Sequence, residues 1–184
     1  PELKKLLPGA DIQHVKFARG GQPIRKWVKT WDEIARKNKL TQQFNDPAEF
    51  YDVVLKQAKA SIAEGKPDSI TFLWMQGERD ARVPEAGVLY YYHFKGFINA
   101  IRERTQRPDL PFLYGLINPP VDIYPALDTV RASQIKINED LPNTYLIETE
   151  GLEKWEDRVH YSTNGQLELG NRFAERLAEI LASE

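Results

Sequence analysis

Short apolar runs alternate with longer amphipathic stretches along this chain. IQHVKFA (12–18) reads as a strand and is followed by Gly20-Gly21. Asp46-Pro47 opens a helix predicted to reach about Gly65, with Phe50, Val53, Val54 and Ala58 on one face. SITFLWM (69–75), rich in β-branched and aromatic residues, predicts a buried strand. Residues 84–104 predict a second helix, with Leu89, Tyr92, Ile98 and Ile101 roughly at helical spacing. PFLYGLI (111–117) predicts a third strand and about 125–139 a third helix; TYLIET (144–149) predicts a fourth strand and Gln166 to Ala182 the last helix. Strand and helix alternate throughout, which favours a parallel sheet covered on both faces. With no repeat, low-complexity tract or linker, residues 1–184 read as one domain.

Composition narrows the classes. The 184 residues carry 41% hydrophobic and 28% charged positions, ordinary for a globular protein, and are enough to bury a sizeable core. A formal net charge of −2 argues against nucleic acid and anionic membrane surfaces as partners. No apolar run approaches the roughly 18 residues of a membrane span, and PELKKLLPGADIQ is too short in apolar length for a signal peptide. Localisation stays open. The absence of cysteine excludes disulfides, thiolate nucleophiles and cysteine-rich zinc sites. No cluster of His, Asp and Glu has metal spacing, and no cofactor is called for.

In parallel sheets the chemistry sits just beyond the carboxyl ends of the strands, and the informative residues of this chain follow its predicted strands. ARGGQPIRKW (18–27) places Gly20 and Gly21 where the backbone turns sharply; a tight turn explains them as well as a row of exposed N–H groups does. WMQGERDA (74–81) packs an amide, a glycine and two carboxylates where unpartnered polar groups are costly. A helix cap accounts for Asp80 but does little for Gln76 or Glu78. EDRVHYSTNGQ (156–166) holds Asp157 and His160 three residues apart before the final helix, so one turn can aim both at a common point. A carboxylate on one imidazole nitrogen fixes the tautomer and stabilises an imidazolium, although a surface ion pair also fits the spacing.

Taken in order, ARGGQPIRKW, WMQGERDA, TVRASQ (129–134) and DRVHYSTNGQLELGNRFA (157–174) resemble the SGNH hydrolase superfamily, in its carbohydrate esterase family 6 and sialate O-acetylesterase branch. The resemblance runs from about residue 8 to the C-terminus. It implies a flavodoxin-like three-layer α/β/α fold and a serine esterase acting on an acetylated carbohydrate without a metal. By position, Asp157 and His160 are then the acid and base of a triad. Gln76 stands where a side-chain amide helps bind the oxyanion, with Gly20 or Gly21 supplying a backbone N–H. Glu78 and Asp80 brace the loop, since their charges would repel an oxyanion; Arg131 lies in a matching motif without an assignable part. Trp155 and Tyr161 are candidates for the substrate rim, because aromatic rings stack on sugar faces. Trp27 and Trp74 are expected in the core, and His14 and His93 in structural or surface positions.

The family's nucleophile is a serine in a Gly-Gln-Ser-Asn motif after the first strand, and this chain has no such motif. Its serines are Ser61 and Ser133 in predicted helices, Ser69 at the start of a strand, Ser162 beside His160 and Ser183 in the tail. Ser162 is expected at the surface or as a cap. The expectation is therefore a domain whose first strand and nucleophile lie outside this chain, supplied by an N-terminal segment or partner polypeptide. The alternative is a noncatalytic carbohydrate- or protein-binding relative of the same fold. Sialic acid, acetylated xylan and simple acetyl esters all satisfy the resemblance as substrates.

Overall fold

The computed structural model describes residues 1–29, 31–40 and 48–182. Three parallel strands form its sheet in the order β1 (Phe72–Trp74), β2 (Phe112–Gly115) and β3 (Thr144–Ile147), with Phe72 opposite Phe112 and Phe112 opposite Thr144. Helices α3 (Tyr51–Gly65), α6 (Tyr90–Thr105) and α7 (Leu127–Asp140) contribute to one core with Phe72, Trp74, Phe112 and Tyr114, joined by the 3-10 segment Ile24–Trp27. On the other face, α8 (Thr163–Ala182) and α1 (Glu2–Leu6) pack around Leu113 and Ile147. The result is the three-layer α/β/α arrangement that the alternating pattern implies.

The larger core is largely aromatic. The Phe72 and Phe112 rings stack at 4.5 Å, and Trp27 meets Trp74 edge-on at 5.1 Å. Aromatic pairs of this kind add about 0.5–1.5 kcal/mol each beyond the area they bury. Trp27 and Trp74 thus take the expected core positions, at 4% and 7% exposure. His93 is buried and stacks on Trp31 at 4.0 Å; burial drives its pKa down to about 3, so it is a neutral core group.

Several elements differ from their predictions. Residues 12–18 form no strand: Val15 and His14 are exposed, and Phe17 instead leans on Trp27 and Phe50 at 5.4 and 5.8 Å. A strand needs a ladder partner, and the apolar positions of IQHVKFA do not alternate. Each observed strand is shorter than its apolar run, and Ser69 lies outside β1 in exposed chain. The helix predicted over 84–104 is split into α5 (Pro84–Gly87) and α6. Three helices among the described residues have no counterpart in the predicted elements: α1, α2 (Trp31–Asn38) and the single turn α4 (Glu78–Ala81). The proposed opening at Asp46-Pro47 and the serine at 183 lie outside the described residues.

Candidate active site

Beyond the carboxyl end of β1 the chain turns through Gln76-Gly77 into α4. Gly77 has φ +146°, and a Cβ there would sit 3.0 Å from the Ile117 side chain, so both backbone angle and space require glycine. The turn delivers Asp80 into the interior at 2% exposure. Its Oδ2 accepts from the Ile24 amide at 2.9 Å and from Gln76 Nε2 at 2.6 Å, fastening the 3-10 segment to the end of β1. Burial outweighs these bonds and pushes the Asp80 carboxyl up to about 6. Asp80 is therefore the brace that the sequence suggested.

Gln76 has its two amide hydrogens engaged, one on Asp80 and one on the Gln22 carbonyl at 3.1 Å, while its Oε1 is buried with no partner among the described residues. Its backbone carbonyl accepts from the Tyr90 hydroxyl at 2.8 Å and from Gln134 Nε2 at 3.3 Å. Gln134, fully buried, also donates to Gly115 O at 3.2 Å and accepts from the Ile117 amide at 3.0 Å. One side chain thus staples the ends of β1 and β2 together. It stood inside TVRASQ without a part assigned to it. Arg131 of the same motif donates to the Ile117 carbonyl at 2.7 Å. Gly20 and Gly21 form an exposed turn, with φ +67° at Gly21, linked to this network through Gln22.

The segment after β3 is a small hairpin. Ser162 N donates to Glu153 O at 3.0 Å, Trp155 N donates to His160 O at 2.9 Å, and Lys154 and Tyr161 form an antiparallel bridge. Opposed residues share a face of such a pair. Lys154 and Tyr161 face inward, the ammonium 5.9 Å from the ring centre and bonded to the Asn118 carbonyl. Trp155 and His160 face solvent, Trp155 at 55% exposure. Val159 packs against the larger core, and Arg158 ties the tip to Asp122 at 2.6 Å.

Asp157 and His160 meet within the tip. Asp157 Oδ1 accepts from the Val159 and His160 amides at 2.9 Å each, and Oδ2 contacts His160 Nδ1 at 2.6 Å. The bond from the imidazole, aided by the two amides, holds the Asp157 carboxyl down at about 2. With the Nδ1 hydrogen on the carboxylate, Nε2 is left as the proton acceptor of an imidazole whose side chain is 79% exposed. Burial raises the Glu78 pKa by more than its backbone hydrogen bonds and the nearby Lys154 offset.

Of the residues singled out from sequence, the fold joins Asp157 to His160 directly and links Gln76 to Asp80. No hydrogen bond among the described residues joins Gly20, Gly21 or Gln76 to His160. Trp155 is open to solvent as a rim residue would be, whereas Tyr161 is half-buried, with burial raising its hydroxyl pKa against a bond to Thr149. Ser162 is 2% exposed and caps α8, its Oγ accepting from the Gly165 amide at 3.2 Å. Ser133 Oγ donates within α7 to Thr129 O at 2.9 Å. Among the described residues no group of three or more His, Cys, Asp or Glu is placed to hold a metal ion, and no helix is long and apolar enough to cross a membrane.

The profile of the family described as carbohydrate esterase, sialic acid-specific acetylesterase, matches residues 2–179. No curated protein matches the chain significantly. Among solved structures, a protein from Arabidopsis thaliana is similar at TM-score 0.68 and 24% identity, over 85% of this chain and 56% of that one. A carbohydrate acetylesterase from Xanthomonas citri is similar at TM-score 0.62 and 22% identity, over 85% of this chain and 34% of that one. A carbohydrate esterase family 3 protein from Talaromyces cellulolyticus gives TM-score 0.51 and 13% identity, over 89% and 93%. At these identities the likeness establishes the α/β/α fold of SGNH hydrolases. This chain spans 56% and 34% of the first two relatives, less than two thirds of either.

Proposed function

This chain belongs to the carbohydrate esterase, sialic acid-specific acetylesterase family, and from that membership we propose that it carries the acid–base half of a serine esterase that removes O-acetyl groups from a carbohydrate. The observation that carries this reading is the 2.6 Å bond from His160 Nδ1 to Asp157, which leaves Nε2 facing outward. The nucleophile in this reading is a serine outside the described residues, because among those residues Ser133 and Ser162 are committed to helix and cap bonds, Ser61 lies within α3, and Ser69 lies before β1 at its amino end.

His160 Nε2 takes the serine proton as Oγ attacks the acetyl carbonyl. Asp157 stabilises the imidazolium that results. The tetrahedral oxyanion is received by backbone N–H groups of the Gly20-Gly21 turn and by Gln76, which exchanges its bond to the Gln22 carbonyl for one to the oxyanion. The imidazolium then protonates the departing sugar oxygen, leaving an acetyl-serine. Water, deprotonated by the same imidazole, attacks that ester; the proton returns to serine Oγ and acetate leaves. Loss of one oxyanion donor lowers turnover by about 10²–10³.

The test is p-nitrophenyl acetate hydrolysis by this chain and by a version extended at its N-terminal side, each with His160→Ala. Turnover confined to the extended protein and lost with His160 is the expected result. A folded, extended protein that is inactive on aryl and sugar acetates alike would sink the esterase reading and leave a carbohydrate or protein binder.

A further inference from the structure

The hairpin after β3 carries its polarity the wrong way round. Along a strand pair, successive side chains alternate between the two faces. Trp155 and His160 take the solvent side, Trp155 at 55% exposure, whereas Lys154 and Tyr161 turn inward. The other three tryptophans are buried, so this chain has no general shortage of room for an indole. Lysine is among the residues least often turned inward. Burial of apolar surface by itself favours the opposite register, because a slip of one residue would put the indole inside and the ammonium in water. The same slip would carry His160 from the outer face to the inner one.

What opposes that slip lies on the inward face. Lys154 Nζ donates to the Asn118 carbonyl, in the loop that follows β2. The ammonium stands 5.9 Å from the ring centre of Tyr161, the residue opposite it in the bridge. Burial lowers the Lys154 pKa, Glu78 raises it and Arg131 lowers it, so Glu78 supplies the compensating charge from the turn after β1. One side chain thus engages groups that follow all three strands. The hairpin's other cationic tie, Arg158 to Asp122, leaves 57% and 59% of the two side chains exposed, where water weakens an ion pair.

We propose that Lys154 is a positioning residue for His160: its bond to the Asn118 carbonyl and its contact with Tyr161 pin the hairpin in the register that keeps the imidazole on the outer face. The pin acts on the hairpin itself and needs no substrate; its effect on turnover rests on the esterase reading.

The experiment compares wild type with Lys154→Met, which keeps an unbranched stem without the ammonium, and with Lys154→Arg, which keeps a cation. In this chain, amide hydrogen exchange followed by NMR reads Trp155 and Ser162, whose N–H groups make the hairpin bonds, against Leu116, whose N–H donates to Ile147 O at 2.9 Å. Lys154→Met is expected to speed exchange at Trp155 and Ser162 about tenfold or more relative to Leu116, and Lys154→Arg to recover most of that protection. The ratio to Leu116 separates a loosened hairpin from a fold made less stable throughout. In the extended protein, Lys154→Met should lower kcat for p-nitrophenyl acetate about 10- to 100-fold with KM changed by less than about twofold, and Lys154→Arg should restore most of the rate. Unchanged hairpin exchange in Lys154→Met overturns the pin. Faster hairpin exchange with kcat within about twofold of wild type overturns the positioning of His160. Failure of the esterase reading shows separately, as absent turnover in the extended wild type, and the exchange ratio decides the pin in that case too.

Discussion

Asp80 and Asp157 stand on the two halves of the candidate site, and their proton affinities move in opposite directions. Asp80 accepts from the Ile24 amide and Gln76 Nε2 yet is pushed up to about 6. Asp157 accepts from two amides and the imidazole and falls to about 2. The difference is solvent. Removing Asp80 from water disfavours its charge by more than two hydrogen bonds recover, whereas Asp157 keeps water and gains its bonds besides. Hydrogen bonds alone therefore do not identify a carboxylate suited to partner a catalytic imidazole. One half of the candidate site is a buried frame that sets backbone positions, and the other is an exposed hairpin that holds Asp157 against His160.

The largest expected effect tests that division from the exposed side. His160→Ala should lower kcat of the N-terminally extended protein by about 10⁴-fold or more while shifting its urea midpoint only slightly, because the imidazole is 79% exposed. Residual activity near wild type would remove the pair from the mechanism. From the buried side, Gly77→Ala should destabilise by about 4 kcal/mol, joining backbone strain to overpacking against Ile117. Urea unfolding reads this directly, and a loss below 1 kcal/mol would show that the turn is not constrained as described.

The two carboxylates also predict opposite pH dependences. Asp80 has a folded pKa near 6, above its ordinary 3.8. Its contribution to stability is fully present below about pH 4 and lost as pH rises through 6, an effect of about 3 kcal/mol. Asp80→Asn should abolish that part of the profile, measured as the variant-minus-wild-type difference between pH 4 and 7.5. Asp157 has the reverse sign: its contribution is present above its ordinary 3.8 and lost as pH falls toward 2. The smallest effect is expected from Ser162→Ala, about 1 kcal/mol for a lost cap, with esterase turnover retained. Loss of turnover in a folded Ser162→Ala protein would return that hydroxyl to the chemistry.

Legibility in the sequence follows the range of each interaction. Asp157 and His160 are three residues apart and joined through their own turn, so spacing and residue type were enough to pair them. The Gln76 amide was readable as unusual but not as engaged, because Gln22 is 54 positions away. Gln134 reaches Gln76 across 58 positions and carried no local signal beyond its place in TVRASQ. The apolar run at 12–18 shows the converse. Its composition suits a strand, but strand formation depends on a neighbouring ladder, and Phe17 found an aromatic cluster instead.

Sequence by itself determined the alternation of helix and strand, the layered class and the closeness of Asp157 to His160, all consequences of periodicity or of contacts a few residues apart. Tertiary structure alone decided that Asp80 is buried and proton-hungry, that Gln76 is tied to Gln22, and that Trp155 stays in water while the other three tryptophans do not. Those outcomes depend on which distant segments the folded chain brings together and on how much water they leave, and neither quantity is encoded in any local window.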